Sequence, residues 1–396
     1  MEFTVEQRPF ATELGLAQRM VSTKATIPVL QNVLIEARQG RIYLTATDLD
    51  KSLQTYCRAR VAKEGDITIP IKRLHDYVRR LPDASVRVSV SGSDTAHLSC
   101  GRAKTRIAGQ GRKTFPELAE FPEESSKVRT ETLKEALRRT VISIADEQSH
   151  YTLAGAKFIL KPDRITIVST DGHRLSLYSQ GRGVVKGALE FESLMAKKAM
   201  VELGNVLALS LQEHAESHAS EGSKEDSGPG EPDEPPMTEI AENDNNLFFR
   251  HGERVFSCRK LSGKFPDHTR VMPRDMPIDI SLESSVIKPV LERVALFADE
   301  RSFPVKFELE DGRLEMKAHD RNSGSSSEES IPVDYEGDPL GIGFNARYLI
   351  EFLGICESEI VHLRLRDARA AAQMDVPGMG EGQEIDYRYV LMPIRI

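Results

Sequence analysis

The sequence predicts an α+β fold of three similar domains, each with antiparallel sheets and two helices. Three observations predict it: a set of helix and strand elements that recurs three times in the same order, a length of 396 residues, and an ordinary globular composition. That length is too great for one ordinary core. The composition, 39% hydrophobic and 29% charged with no Trp, is that of a folded chain with a sizeable interior.

The first recurring element is an amphipathic helix followed by a strand. Its copies are FATELGLAQRMVSTKATIPVLQNVLIEA (Phe10–Ala37), LKEALRRTVISIADEQSHYTLAGAKFIL (Leu133–Leu160) and VIKPVLERVALFADERSFPVKFEL (Val286–Leu309). In the second copy Leu133, Ala136, Leu137 and Val141 fall on one helical face. The second element is a short strand that ends at an Asp, where the chain turns: IYLTATDLD (Ile42–Asp50), ITIVSTDGHRL (Ile165–Leu175) and LEMKAHDRN (Leu314–Asn322). The third is a strand running into a helix: ITIPIKRLHDYVRRL (Ile67–Leu81), LEFESLMAKKAMVEL (Leu189–Leu203) and GIGFNARYLIEFLGI (Gly341–Ile355). A fourth appears twice, as KTFPEL (Lys113–Leu118) and GKFPDH (Gly263–His268). Repetition of this kind places domain limits at 1–124, 125–275 and 276–396, with boundaries near Glu124 and Asp275 in charged, Pro-containing stretches.

The spacing between repeats locates an insertion. Asp48 to Asp171 is 123 residues and Asp171 to Asp320 is 149. Most of the excess is a stretch rich in Glu, Ser, Gly and Pro at about 212–244. From Glu213 to Asp244 it holds eleven acidic residues and one Lys, a net −10. It reads as a solvated, disordered loop. The whole chain carries −8, so the remainder is +2, and its basic residues cluster on the predicted helices.

Several function classes are excluded or weakened. No apolar run approaches the roughly 20 residues that span a bilayer, and the start, MEFTVEQRPF, does not read as a secretory signal. Cys57, Cys100, Cys258 and Cys356 form no CxxC, which fits free thiols in a reducing cytoplasm. There is no GxGxxG, GxxxxGK[ST] or GxSxG. His173 beside Asp171 reads as a capped turn, because no partner ligands stand at useful spacing. His214 and His218 are four apart but lie in the insertion, where a stable metal site is not expected. Scattered carboxylates leave a metal-dependent nuclease as one alternative, and a scaffold that never meets DNA as another. The threefold repeat counts against the first and the clustered Lys and Arg against the second.

The segments TIPVLQNVLIEA with LTATDLD, VSTDGHRL, GKFPDHTRVMP, GFNARYL and the terminal VLMPIRI occur in order on this repeat. Together they resemble the bacterial β sliding clamp of DNA polymerase III over nearly the whole chain, the insertion excepted. The resemblance implies three DNA-clamp domains with helices inside and sheets outside, and a head-to-tail homodimer closed into a ring around double-stranded DNA. It implies a non-catalytic processivity factor of the holoenzyme, cytoplasmic, with no cofactor of its own and no membrane partner. The implied partners are the polymerase III alpha subunit, the clamp loader, and other polymerases and repair proteins that carry clamp-binding peptides. Such a ring acts by raising effective concentration.

The resemblance also implies sites. The partner-peptide cleft maps to Leu153, Thr170, Gly172, His173, Arg174, Leu175, Pro266, Arg270, Val271, Asn345, Tyr348, Val390, Leu391, Met392, Pro393, Ile394 and Arg395. Apolar walls with Arg174 and Asn345 as polar hands suit an extended peptide. From their own pattern alone, Leu153 and Leu175 read as plain core packing, and MPIRI as a C-terminal strand with a frayed end. DNA contacts map to Lys24, Arg73, Arg79, Arg80, Arg138, Lys197 and Lys198, with Lys72, Lys134, Arg139, Lys288, Arg293 and Arg347 also on helices and Glu147 and Gln148 as a looser match. Any one of these basic residues also fits an ordinary solvated helix face. No aromatic stripe favours single strands. The dimer contact maps to Ile107 on an edge strand and to Leu296 and Phe297, which could instead belong to their own core. Arg369 stands where the family has a small apolar residue at the cleft rim.

Overall fold

The computed structural model describes residues 1–22, 27–92, 94–145, 151–221, 234–320, 322–380 and 384–395. The chain gathers into two compact units that cut across the three sequence repeats. The first holds Met1–Glu131, Lys186–Leu189 and Lys198–Lys260; the second holds Thr132–Val185, Glu190–Lys197 and Leu261–Ile396.

In the first unit, helix α1 (Gln7–Met20) turns Phe10, Leu14, Ala17 and Met20 to the core. Helix α2 (Ile71–Val78) does the same with Ile71, Leu74 and Val78. A five-stranded sheet runs in the spatial order Arg60–Lys63, Glu2–Glu6, Ser85–Ser91, Thr95–Cys100, Ala103–Ala108. A larger sheet joins the first and middle repeats, because Arg254–Arg259 pairs antiparallel with Lys51–Arg58, Val255 opposite Gln54. Alternate residues of Arg41–Thr47 and Lys51–Arg58 face the helices: Ile42, Leu44, Leu53 and Cys57 are buried while Tyr43 and Tyr56 are only partly covered.

The second unit repeats the plan. Helix α3 (Thr130–Thr140) buries Leu133, Ala136 and Leu137 as its spacing predicts, and Val141 opens the 3-10 turn that follows. An eight-stranded sheet joins middle and last repeats through Arg174–Gln180 against Ile385–Leu391, Leu175 opposite Val390. A four-stranded sheet runs Ser326–Pro332, Arg313–His319, Pro304–Glu310, Leu340–Asn345. Helices α5 (Ser284–Ala295) and α6 (Ala346–Ile355) pack together. The two joints share one hydrogen-bond pattern: Arg259 N–H donates to Asp50 O, and Met392 N–H donates to His173 O, each at 2.8 Å.

The insertion is narrower than its composition suggests. Helix α4 runs Lys197–Glu221, so Glu213–Glu221 is helical, and Met237–Glu242 is a strand paired with Asn246–His251. The reason is packing. Arg254, 6% exposed, donates to both Glu213 oxygens (2.6 and 2.7 Å) and pairs with buried Glu13 of α1, whose carboxylate also accepts from Thr55. Ile240 and Ala241 are buried in the sheet. Residues 222–233 lie outside the described residues. All four cysteines are buried free thiols, and burial pushes the Cys258 thiol up to about 12.

Candidate peptide-docking cleft and basic helix surfaces

The turn after each strand of the second element is built by its Asp. Asp171 Oδ1 accepts from His173 N–H (2.9 Å) and Arg174 N–H (3.0 Å), and Thr170 Oγ1 donates to Arg174 O (2.6 Å). Asp48 does the same for Asp50 and Lys51 N–H, and Asp320 for Asn322 N–H. The capped-turn reading of Asp171–His173 therefore holds. Gly172 occupies φ +89°, a left-handed position that the first repeat fills with Leu49 at φ +76°.

In the second unit this turn forms one wall of a cavity of about 140 Å³. Leu153, Thr170, Gly172, Arg174, Leu175, Pro266, Val271, Val390 and Met392 line it, all of them expected. Asp267 and His268 also line it and were not foreseen. Beneath lies an apolar cluster of Ala145, Leu153, Val168, Leu175, Leu194, Phe265 and Val390, against which Leu177, Leu261, Met272 and Ala371 pack. Leu153 and Leu175 thus belong to the core and also line the cavity.

The polar hands differ from expectation. Arg174 is buried, and its side chain is already occupied: Nε donates to Asp171 (3.0 Å), Nη1 to Glu351 (2.5 Å) and to Tyr389 Oη (3.2 Å). The guanidinium stacks 4.1 Å from the Tyr348 ring. Burial works against its charge, but Tyr389 and Glu351 outweigh burial and hold it protonated. Arg174 is a brace of the wall and not a free hand. Asn345 caps α6, its side-chain oxygen accepting from Arg347 N–H at 2.9 Å. His173, Arg270 and Arg395 are exposed nearby in sequence; Arg270 pairs with Asp267 at 3.1 Å. Leu391 is buried in its strand, Pro393 is half-buried, and Ile394 bridges to Gly343. Arg369 is exposed and does not line the cavity, and its N–H donates to Asp367. Ala371, two residues on, packs against the apolar cluster beneath the cavity. Burial lowers the His268 pKa, with Lys157 adding to the effect.

The basic residues divide by burial. Lys72, Arg73, Arg79 and Arg80 are exposed, but α2 ends at Val78, so Arg79 and Arg80 follow it and share Asp76 at 2.9 and 3.6 Å. Lys198 is exposed, while Lys197 donates to Ile144 O at 3.2 Å. Arg138 is tied to Glu135 (2.8 Å) and Glu357 (3.3 Å). Arg139 does not face solvent as its helix position suggests: it is buried beside Glu135 and 4.7 Å from the Tyr387 ring. Arg293 pairs with Glu329, and Arg347 covers the Phe303 ring. Lys134 and Lys288 are half-buried. Lys24, Glu147 and Gln148 lie outside the described residues.

Ile107 does sit on an edge strand, Ala103–Ala108, but its side chain is buried in its own unit. Leu296 and Phe297 are 79% and 40% exposed, which settles them as surface and not core. Among the described residues no three ligating side chains cluster for a metal, and no helix is long and apolar enough to cross a membrane.

Comparison with known proteins agrees along the whole length. The N-terminal, central and C-terminal domains of the DNA polymerase III beta subunit match residues 1–119, 127–267 and 269–395. The "Beta sliding clamp" of Synechococcus elongatus is 28% identical and that of Caulobacter vibrioides 28%, each aligned over all of both chains. Among solved structures, the sliding clamps of Pseudomonas aeruginosa (25% identical, TM-score 0.86) and Bartonella birtlesii (28%, 0.85), both bound to griselimycin, cover all of both chains. Sheets and helices repeated in this way define a chain of three DNA-clamp domains. The chain belongs to the DNA polymerase III beta subunit family. It is a non-catalytic processivity factor of DNA replication.

Proposed function

We propose that two copies of this chain close head to tail into a ring that encircles duplex DNA without reading its sequence. The ring holds polymerases on their template through the cleft around Leu175 and Met392. The observation that carries this reading is the match of three consecutive clamp domains to nearly the entire chain. The domain limits proposed are 1–124, 125–275 and 276–396. The units of the fold divide the middle domain between them because each shared sheet is continuous across a boundary.

Ring closure is supported by two complementary edges. The edge strand Ala103–Ala108 exposes Lys104 and Arg106, and the edge strand Ser326–Pro332 exposes Glu328 with Glu329 half-buried beside it. Pairing the first edge with the second edge of another copy would satisfy both rows of backbone groups and match opposite charges. Leu296 and Phe297 would then be covered. Arg73, Arg79, Arg80 and Lys198, with Lys24, would give salt-sensitive contact with phosphates. Arg138 and Lys197 would contribute less, since both are engaged within the unit.

The cleft supports docking of a short apolar peptide, its floor apolar and its rim carrying Asp267, His268 and Arg270. The polymerase alpha subunit, the clamp loader and other polymerases and repair proteins would compete for it. Such a factor works where the chromosome is, in the bacterial cytoplasm. The test is retention on nicked circular DNA, with the cognate loader and ATP, before and after linearisation. Retention on circles and loss from linear ends supports the ring; equal retention on both would overturn it.

A further inference from the structure

The pair His214 and His218, set aside on sequence grounds as part of an unfolded insertion, lies on the ordered last turns of α4. Four residues apart on a helix means the same face, one turn above the other. The two imidazoles meet at 4.3 Å between ring centroids, at an interplanar angle of 66°. His214 is half-buried and His218 exposed.

The helix beneath them is anchored. Glu213, immediately before the pair, is held by both of its oxygens on Arg254, which in turn pairs with Glu13. Between the histidines Ser217 Oγ donates to His214 O at 2.7 Å, and Gln212 donates to Glu216 at 2.8 Å on the adjoining face. The backbone that carries the two rings is therefore in place before any ligand arrives, which removes much of the ordering cost that a disordered segment would impose.

We propose that His214 and His218 form a two-imidazole site for a borderline divalent cation of the Zn²⁺, Ni²⁺ or Cu²⁺ class. Imidazole nitrogen suits these ions, and the i, i+4 spacing on one helical face is the one that helix-borne ligand pairs use. Among the described residues no third ligating side chain joins them, and the proposed site rests on the two imidazoles alone. A hard cation such as Mg²⁺ or Ca²⁺, which demands oxygen ligands, is not accommodated. Chelation ties two successive turns together and stiffens the end of α4.

The test is calorimetric titration of the full chain with Ni²⁺, beside H214A, H218A and the pair together. One Ni²⁺ per chain is expected, weakened roughly tenfold or more in each single variant and lost in the double. Cu²⁺ loaded at one equivalent should show nitrogen coupling from two imidazoles in its electron paramagnetic resonance spectrum. Circular dichroism of the variants checks that the helices persist. Titrations of the three variants that match the original, a copper spectrum with oxygen ligands only, or no binding up to millimolar Ni²⁺ would each overturn the site.

Discussion

At the scale of single residues, buried Arg254 and partly exposed Met392 carry separate predictions. Arg254 lies between Glu13 and Glu213, with Thr55 and Ser210 in reach. Removing one member of a buried ion set leaves the others charged and unpaired. Arg254→Ala is expected to cost about 3–5 kcal/mol of stability, read as a lower urea midpoint, and Glu13→Gln with Arg254→Met should recover most of it. Met392 is a partly exposed, adaptable wall of the cleft. Met392→Ala should weaken a clamp-binding peptide about tenfold, or about 1.4 kcal/mol, in fluorescence polarisation, with little change in melting. His75, His251 and His268 have pKa values lowered chiefly by burial. The unfolded chain binds protons more readily at these sites, so their contribution is present above the ordinary histidine pKa of about 6.5. It is lost as pH falls below that value through the folded pKa values. A plot of unfolding free energy against pH should bend downward in that window, and less so for His251→Asn.

At the scale of elements, edge strands and helix ends carry the predictions. Ala103–Ala108 and Ser326–Pro332 are edges with opposite charge. Lys104→Glu should weaken self-association, and combining it with Glu328→Lys should restore it, because only the pairing of the two recovers the attraction. Leu296→Asp should shift the sedimentation profile toward monomer without loss of secondary structure, since the side chain is exposed in the single chain. An unchanged sedimentation profile for Leu296→Asp would overturn the self-association assignment. Helix α4 illustrates how an element outruns its local composition: a Glu- and Ser-rich end is held helical by one buried guanidinium from a distant strand.

For the whole molecule, the repeat and the charge distribution set the behaviour. An excess of acid is confined mostly to one stretch, leaving the remainder slightly positive. Attraction to duplex DNA should then depend on salt and not on sequence. Arg73→Gln should lower the log–log salt slope by about 1. Arg79→Gln should lower it less, because Asp76 already offsets its charge. Equal slopes for all variants would place the DNA path elsewhere.

Period and pattern along the chain were enough to determine the α+β class, three repeats, the amphipathic faces around Leu133–Leu137 and the Asp-built turns. Each is a local matter of spacing or of a short side chain reaching its own backbone. The apolar members of the cleft could be placed by resemblance, yet Asp267 and His268 could not, since nothing in the polar run DHTR that ends GKFPDHTR marks a wall. Tertiary structure alone decided that Arg174 is a brace, that Arg139 is buried and Leu296 is not, and that Glu213 and His214 stand on an ordered helix. The physical reason is common to all four. Burial and ion pairing are set by partners tens or hundreds of residues away, such as Tyr348, Glu351 and Arg254, and no local window contains both halves of such a contact.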